Sequence, residues 1–161
     1  MRTYHAIDVA KRFLELANAE NISITHMKLQ KLVFFGQLVA LKCYNGVPLH
    51  DNDTLAWDYG PVVRELYDTI HRFGSNPIML QDKDGNDVFC EAKQIDDQDA
   101  QFVIESTWNK FKSWTAYQLS MLTHRPNSPW SVCYNQARSS VIPNDLMIKN
   151  GFGNSWNDWQ P

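Results

Sequence analysis

The sequence lacks a basic excess. Its 15 lysines and arginines are outnumbered by 18 aspartates and glutamates, giving a formal net charge of -3 and a pI near 5.9. A phosphate backbone is gripped by neutralising its charges with Lys and Arg, so nucleic acid is not expected as a partner. Long apolar runs are also missing. The longest, residues 32–41, is interrupted by Gly36 and Gln37 and falls well short of the roughly 20 residues that cross a bilayer. No membrane span is expected, and the run reads as a buried helix. Cysteine is scarce: Cys43, Cys90 and Cys133 form no CxxC pair, which excludes the common redox and zinc motifs and leaves the expectation of reduced thiols in a cytoplasmic protein. Asp8, Lys11 and Arg12 arrive before any apolar stretch of signal-peptide length, so export is not expected. There is no internal repeat, low-complexity segment or linker, and no G-x-S-x-G, P-loop or H-E-x-x-H.

What is present is the composition of a folded domain. Hydrophobic residues make up 43% of the 161 and charged residues 20%, a balance that sustains one core without a partner. The expected fold is mainly α: a compact bundle of about six or seven helices around a central buried helix, with one small β-hairpin. Residues 1–150 are expected to form a single helical domain and 151–161 a polar tail, with Trp156 and Trp159 available to dock it.

Ile7, Ala10, Phe13, Leu14 and Ala17 recur at helical spacing and predict a first helix over about residues 4–20. Thr25 is the expected N-cap of a second, with Ile24 and Leu29 at the staple positions. Its continuation through residues 32–41 is apolar almost all round, which a helix tolerates only when enclosed by protein. Asn45-Gly46 and Pro48 end it. Residues 55–59 approach Gly60-Pro61 as a short strand, and Pro61 suits the first position of a helix because its φ is already helical. Val62, Val63, Leu66, Tyr67, Ile70 and Phe73 would form one face of that helix, with Gly74 as its stop. The hairpin is expected later, where residues 78–80 and 88–90 flank Asp84-Gly85.

Asp96, Asp97 and Asp99 collect where a helix dipole favours them, ahead of Val103, Ile104, Thr107, Trp108 and Phe111. Thr115 to Gln118 spells a capping box for a fifth helix to about Thr123, with Trp114 and Leu119 as a staple. Ser128-Pro129 combines an N-cap with a proline at the first helical position, and Pro143 starts a last short helix.

Three constellations invite chemistry, and each has a plainer reading. Residues 82–87 look like a calcium loop, but the sixth residue is Asp87 where glycine belongs and the twelfth is Lys93 where glutamate belongs, so a polar turn is preferred. His50-Asp51-Asn52-Asp53 offers ligand atoms without a diagnostic spacing and reads as an exposed loop. Cys43 or Cys133 beside His124 would make a thiol nucleophile. Cys43 lies at the end of the central helix and Cys133 on an apolar helix face, where cysteine usually packs as a small buried hydrophobe. Trp57 and Trp130 each stand near a helix-starting proline and are read as packing in preference to interface anchors.

Residues 27–35 (MKLQKLVFF), 57–63 (WDYGPVV) and 119–124 (LSMLTH), followed by Ser128-Pro129-Trp130, taken in this order resemble the Panacea domain, the SocA-like or phage-associated GepA-like group of antitoxins. The similarity runs from the first helix to residues 142–146. It implies a helical module that neutralises a cognate protein toxin, encoded by a neighbouring gene, by direct contact: the protective half of a toxin-antitoxin or phage-defence pair. The motif positions are Trp57, Tyr59, Gly60, Pro61, Arg64, His124 and Trp130. The resemblance implies for them a shared scaffold and partner-binding face, with no catalytic residue, cofactor or metal. Phe34-Phe35-Gly36 departs from the family's more usual aromatic-alanine run, and the polar tail departs too. The toxin, the contact face and the oligomeric state stay open. So do two other readings, an adaptor that delivers its partner to a protease and a cysteine-dependent enzyme.

Overall fold

A computed structural model describes residues 1–151. Among these the chain forms α1 (Ala6–Ala19), α2 (His26–Cys43), β1 (Thr54–Trp57), β2 (Gly60–Val63), α3 (Arg64–Ile70), α4 (Gln98–Phe111), α5 (Ala116–Thr123), α6 (Pro129–Gln136) and α7 (Asn144–Asn150). The expected mainly α fold with one small hairpin is what is observed. No described helix is long and apolar enough to cross a membrane.

α2 is the axis. All residues from Lys28 to Leu41 are buried, and α1, α4, α5, α7 and β2 pack around it. Its polar residues work as ties, because a buried polar group is costly unless it finds a partner. Lys28 Nζ donates to the Lys112 carbonyl at 2.6 Å, while Gln37 accepts from the Leu49 and His50 amides and donates to the His50 carbonyl. Gln30 both accepts from and donates to the Val63 backbone. The long loops therefore close on the central helix by side-chain bonds where no helix or strand is available.

Capping residues stand where local sequence places them. Asp97 accepts from Ala100 N, Thr115 forms its capping box with Gln118, and Ser128 accepts from Ser131 N with Pro129 at the first turn. The first helix begins at Ala6, later than expected, because Tyr4 is pinned in extended backbone between Leu49 and Asp51. Pro143 lies one position earlier than expected, as the residue before α7 with extended ψ of 147°.

Two expectations about the hairpin are overturned. Residues 78–90 form no ladder, only an isolated bridge between Gln81 and Asp87. Asp82 closes the turn by itself, accepting from the amides of Asp84 and Asn86, and Ile78, Val88 and Phe89 turn into the core. The hairpin lies instead at residues 54–63, with Ala56 opposite Pro61 and Trp57 opposite Gly60. Pro61 is consequently in a strand and does not open a helix; α3 begins at Arg64, and Val62 and Val63 belong to β2. Pro61 is tolerated there because the second edge of β2 meets side chains of α2 and needs no ladder donor from it. The other edge of β1 is covered by residues 139–142.

Candidate partner-binding site

β1 and β2 are joined by Asp58-Tyr59, and the backbone around this turn is held from three helices. Trp130 Nε1 of α6 donates to the Trp57 carbonyl at 2.8 Å and Tyr134 OH to the Asp58 carboxylate at 3.0 Å. Ser120 Oγ of α5 donates to the Tyr59 carbonyl at 3.1 Å. Lys31 Nζ of α2 donates to the Pro61 carbonyl at 3.2 Å. His124 Nδ1 lies 2.6 Å from the Ser120 carbonyl, which can only accept, so Nδ1 carries the proton; Nε2 faces the Asp58 carbonyl at 3.5 Å. The His124 ring lies against Trp130 with centroids 3.8 Å apart, and Trp130 stacks on Tyr134 at 4.6 Å. A column of rings thus backs the turn and fixes its shape.

Gly60 is the tightest point. Its φ is +107°, and a Cβ there would lie 2.6 Å from Lys31 Cε and 2.9 Å from both Lys31 Nζ and Thr123 Oγ1. On the other side of the hairpin Trp57 meets Tyr67 at 4.9 Å, and the Arg64 guanidinium lies 5.9 Å from the Trp57 ring while pairing with Asp68.

The seven motif residues therefore come together. Gly60, Pro61 and Trp130 are buried and hold the turn from behind, with His124 and Trp57 half-buried beside them. Tyr59, 74% exposed, and Arg64 stand out from the surface. The main residues that sequence reasoning missed are Lys31 and Gln30. The signal was present: a lysine and a glutamine inside a helix that is apolar all round have no route to water and must find partners within the protein. Burial pulls the Lys31 ammonium from its ordinary 10.5 down to about 7.

Ser128 joins α5 to α6 under this site. Its buried hydroxyl accepts from Ser131 N at 3.0 Å and donates to the Thr123 carbonyl at 2.6 Å. Ser128→Ala should cost about 2 kcal/mol, since it removes a cap and leaves a buried carbonyl without a donor. Urea unfolding would read this as a lower midpoint with an unchanged slope.

Of the groups that suggested other chemistry, His124 lies at the turn and the others do not. Cys133 is buried and burial pushes its thiol up, away from the thiolate. Cys43 is exposed, against the expectation of burial, because it is the last residue of α2 where the helix emerges from its neighbours. His124 directs its ring nitrogens at the Ser120 and Asp58 carbonyls and not at a thiol. His50, expected in an exposed loop, is 1% exposed, because the Tyr4 and Gln37 backbone and side-chain bonds draw residues 49–51 inward. Trp156 and Trp159 lie outside the described residues.

A family model described as "Antitoxin SocA-like, Panacea domain" matches residues 29–131, well over half of the chain and the whole span from α2 into α6. No curated protein matches the chain, and no solved structure does.

Proposed function

Since the chain belongs to the SocA-like antitoxin family of Panacea domains, we propose that it neutralises a cognate protein toxin by direct binding, in the cytoplasm, and that the toxin is the product of a neighbouring gene. The contact face is the one around the Asp58-Tyr59 turn. Tyr59 and Arg64 reach the partner, while Gly60, Pro61, His124 and Trp130 keep the turn in shape. Residues 1–150 act as one unit in this, with 151–161 as an appendage.

The observation that supports this reading most is the exposure of Tyr59 on a turn whose backbone is held by α2, α5 and α6. An exposed tyrosine on a mobile loop would lose ordering entropy on binding. One on a rigid turn has little left to lose, and such aromatics dominate interface energetics. Stoichiometric blocking is preferred over catalysis because Ser120 and Trp130 beside the turn are bonded to its backbone.

Co-expression with the neighbouring gene product tests the proposal. Growth arrest by that protein alone and rescue with this chain is the expected result; a harmless neighbour, or one that stays toxic within a stable complex, overturns it. The half-life of the bound partner separates blocking, which leaves it stable, from delivery to a protease, which shortens it. Tyr59→Ala should weaken the complex by roughly thirtyfold, about 2 kcal/mol, without moving the melting temperature. Titration calorimetry with the purified partner would show it.

A further inference from the structure

Beside the turn lies an open cleft of about 480 Å³. Thr25, His26, Met27, Gln30 and Lys31 of the α2 start form one wall, with Tyr59, Tyr67, Gly74, Ser75 and Ala116 completing it. Its surface is mostly apolar, yet its electrostatic character is one-signed. No carboxylate is among the described lining residues. α2 is 18 residues long and carries no acidic residue in its first turn, and the Thr25 side chain makes no capping hydrogen bond, so the positive end of the dipole is left uncompensated. Lys31 lines the cleft although it is only 1% exposed, which puts it at the inner end. Its ammonium has a single hydrogen-bond acceptor among the described residues, the Pro61 carbonyl, and so retains donors for another.

The mouth is of a different kind. Met27 and Tyr59 are exposed on its edge. Tyr117 and Met121 are exposed one turn apart on α5, next in sequence to Ala116 in the lining and to Ser120, which holds the Tyr59 carbonyl. Exposed tyrosines and methionines around a concavity are what protein interfaces enrich, and this argues for a protein occupant over a free metabolite.

We propose that this cleft receives an acidic side chain, Asp or Glu, from an otherwise apolar segment of the partner protein, with the partner's carboxylate reaching Lys31 and the start of α2 and the partner's apolar surface covering Met27, Tyr59, Tyr117 and Met121. This rests on the toxin-binding reading above and names what that face recognises. The apolar walls exclude water from the carboxylate, so its attraction to the Lys31 ammonium is stronger there than on an open surface. A cation at that position is rejected by like-charge repulsion, and an amide, whose carbonyl can accept the hydrogen bond, gives up the ionic part of the attraction.

The test has two arms on the full chain. In the first, hexanoate and the neutral isostere hexanamide are titrated separately while the Met27 methyl and the Gly74 and Ser75 amides are followed by NMR. Saturable shifts confined to these positions, about tenfold weaker with hexanamide and absent in Lys31→Met, are expected. Equal responses to the two probes, responses elsewhere, or none, overturn the carboxylate site. In the second arm the purified neighbouring-gene product is bound to wild type and to Lys31→Met. Methionine fills the space of the lysine stem without its charge, so the variant should fold, and circular dichroism confirms that it does. Binding should weaken about tenfold or more, and one partner Asp or Glu should lose its effect, when changed to the amide, in the Lys31→Met background. Neutralisation by wild type with undiminished binding by Lys31→Met overturns the cleft proposal and leaves the antitoxin reading standing. Failure of wild type to bind or neutralise overturns the antitoxin reading and the identity of the occupant together, while the hexanoate titration still decides the carboxylate site.

Discussion

Gly60→Ala is expected to destabilise the fold by ~3–5 kcal/mol, a large share of the stability of any domain this size. Two independent effects add. A residue with a Cβ is strained at φ +107°, which costs of order 1–3 kcal/mol. The new methyl would also lie within 3 Å of Lys31 Cε, Lys31 Nζ and Thr123 Oγ1, and overpacking of this kind costs about 1–3 kcal/mol more. A lysine end can ordinarily swing away into solvent. Lys31 lacks that freedom, because it is only 1% exposed and its ammonium is tied to the Pro61 carbonyl. Thermal unfolding should show a fall of roughly 10 °C or more in melting temperature. Pairing the change with Lys31→Ala separates the contributions: the clash with the lysine disappears and part of the loss returns, while the backbone strain and the close approach to Thr123 Oγ1 stay. Full additivity of the two substitutions would mean that the side chains do not meet as described.

Acidification should unfold the protein earlier than its carboxylates alone require, and His50 is the reason. Among the described residues, neither of its buried ring nitrogens has a hydrogen-bond partner. Burial lowers its pKa to about 4 from the ordinary 6.5, against a smaller raising by backbone contact with Asn52 and by the Asp51 charge. Between these two values the unfolded chain takes up a proton that the native state excludes. Stability is therefore complete above about pH 6.5 and falls as the pH drops toward 4, by about 3 kcal/mol if the site stays dry. His26, also lowered by burial and by the Lys31 and His71 charges, adds to the loss in the same direction. Replacing His50 by leucine isolates its share: urea unfolding at pH 7 and pH 4.5 should differ by about 2.4 kcal/mol less in His50→Leu than in wild type. An identical pH dependence in the two would show that the imidazole is not buried neutral. Asp82, Asp87 and Asp96 are held below the usual carboxylate range by their hydrogen bonds and begin to count only at lower pH.

These sites divide by how far their causes lie along the chain. The starts of α4, α5 and α6 were legible because a cap acts over three residues: Asp97, Thr115 and Ser128 each stand within one turn of the amide they satisfy. The buried central helix was legible from its lack of a polar face. So was the family, whose blocks lie in order along the chain. The place of the hairpin was not. Asp84-Gly85 is the stronger local turn signal, yet a two-stranded ribbon is stable only if its edges and faces are covered. That cover comes to residues 54–63 from Gln30 and Lys31, some 30 residues upstream, and from residues 139–142, some 80 downstream.

The same division runs through the binding face. Sequence by itself determined that the chain folds as helices around one apolar axis, because apolar periodicity and capping are local, and the motif positions were named by the family resemblance. It could not assign roles within the motif. Tyr59 and Gly60 are neighbours in the chain, and only packing against α2, α5 and α6 sends one into solvent and buries the other. Only packing, too, makes Lys31 and His50 unusual. Each is an ordinary titratable residue until elements distant in sequence close over it and take away the water that favours its charged form.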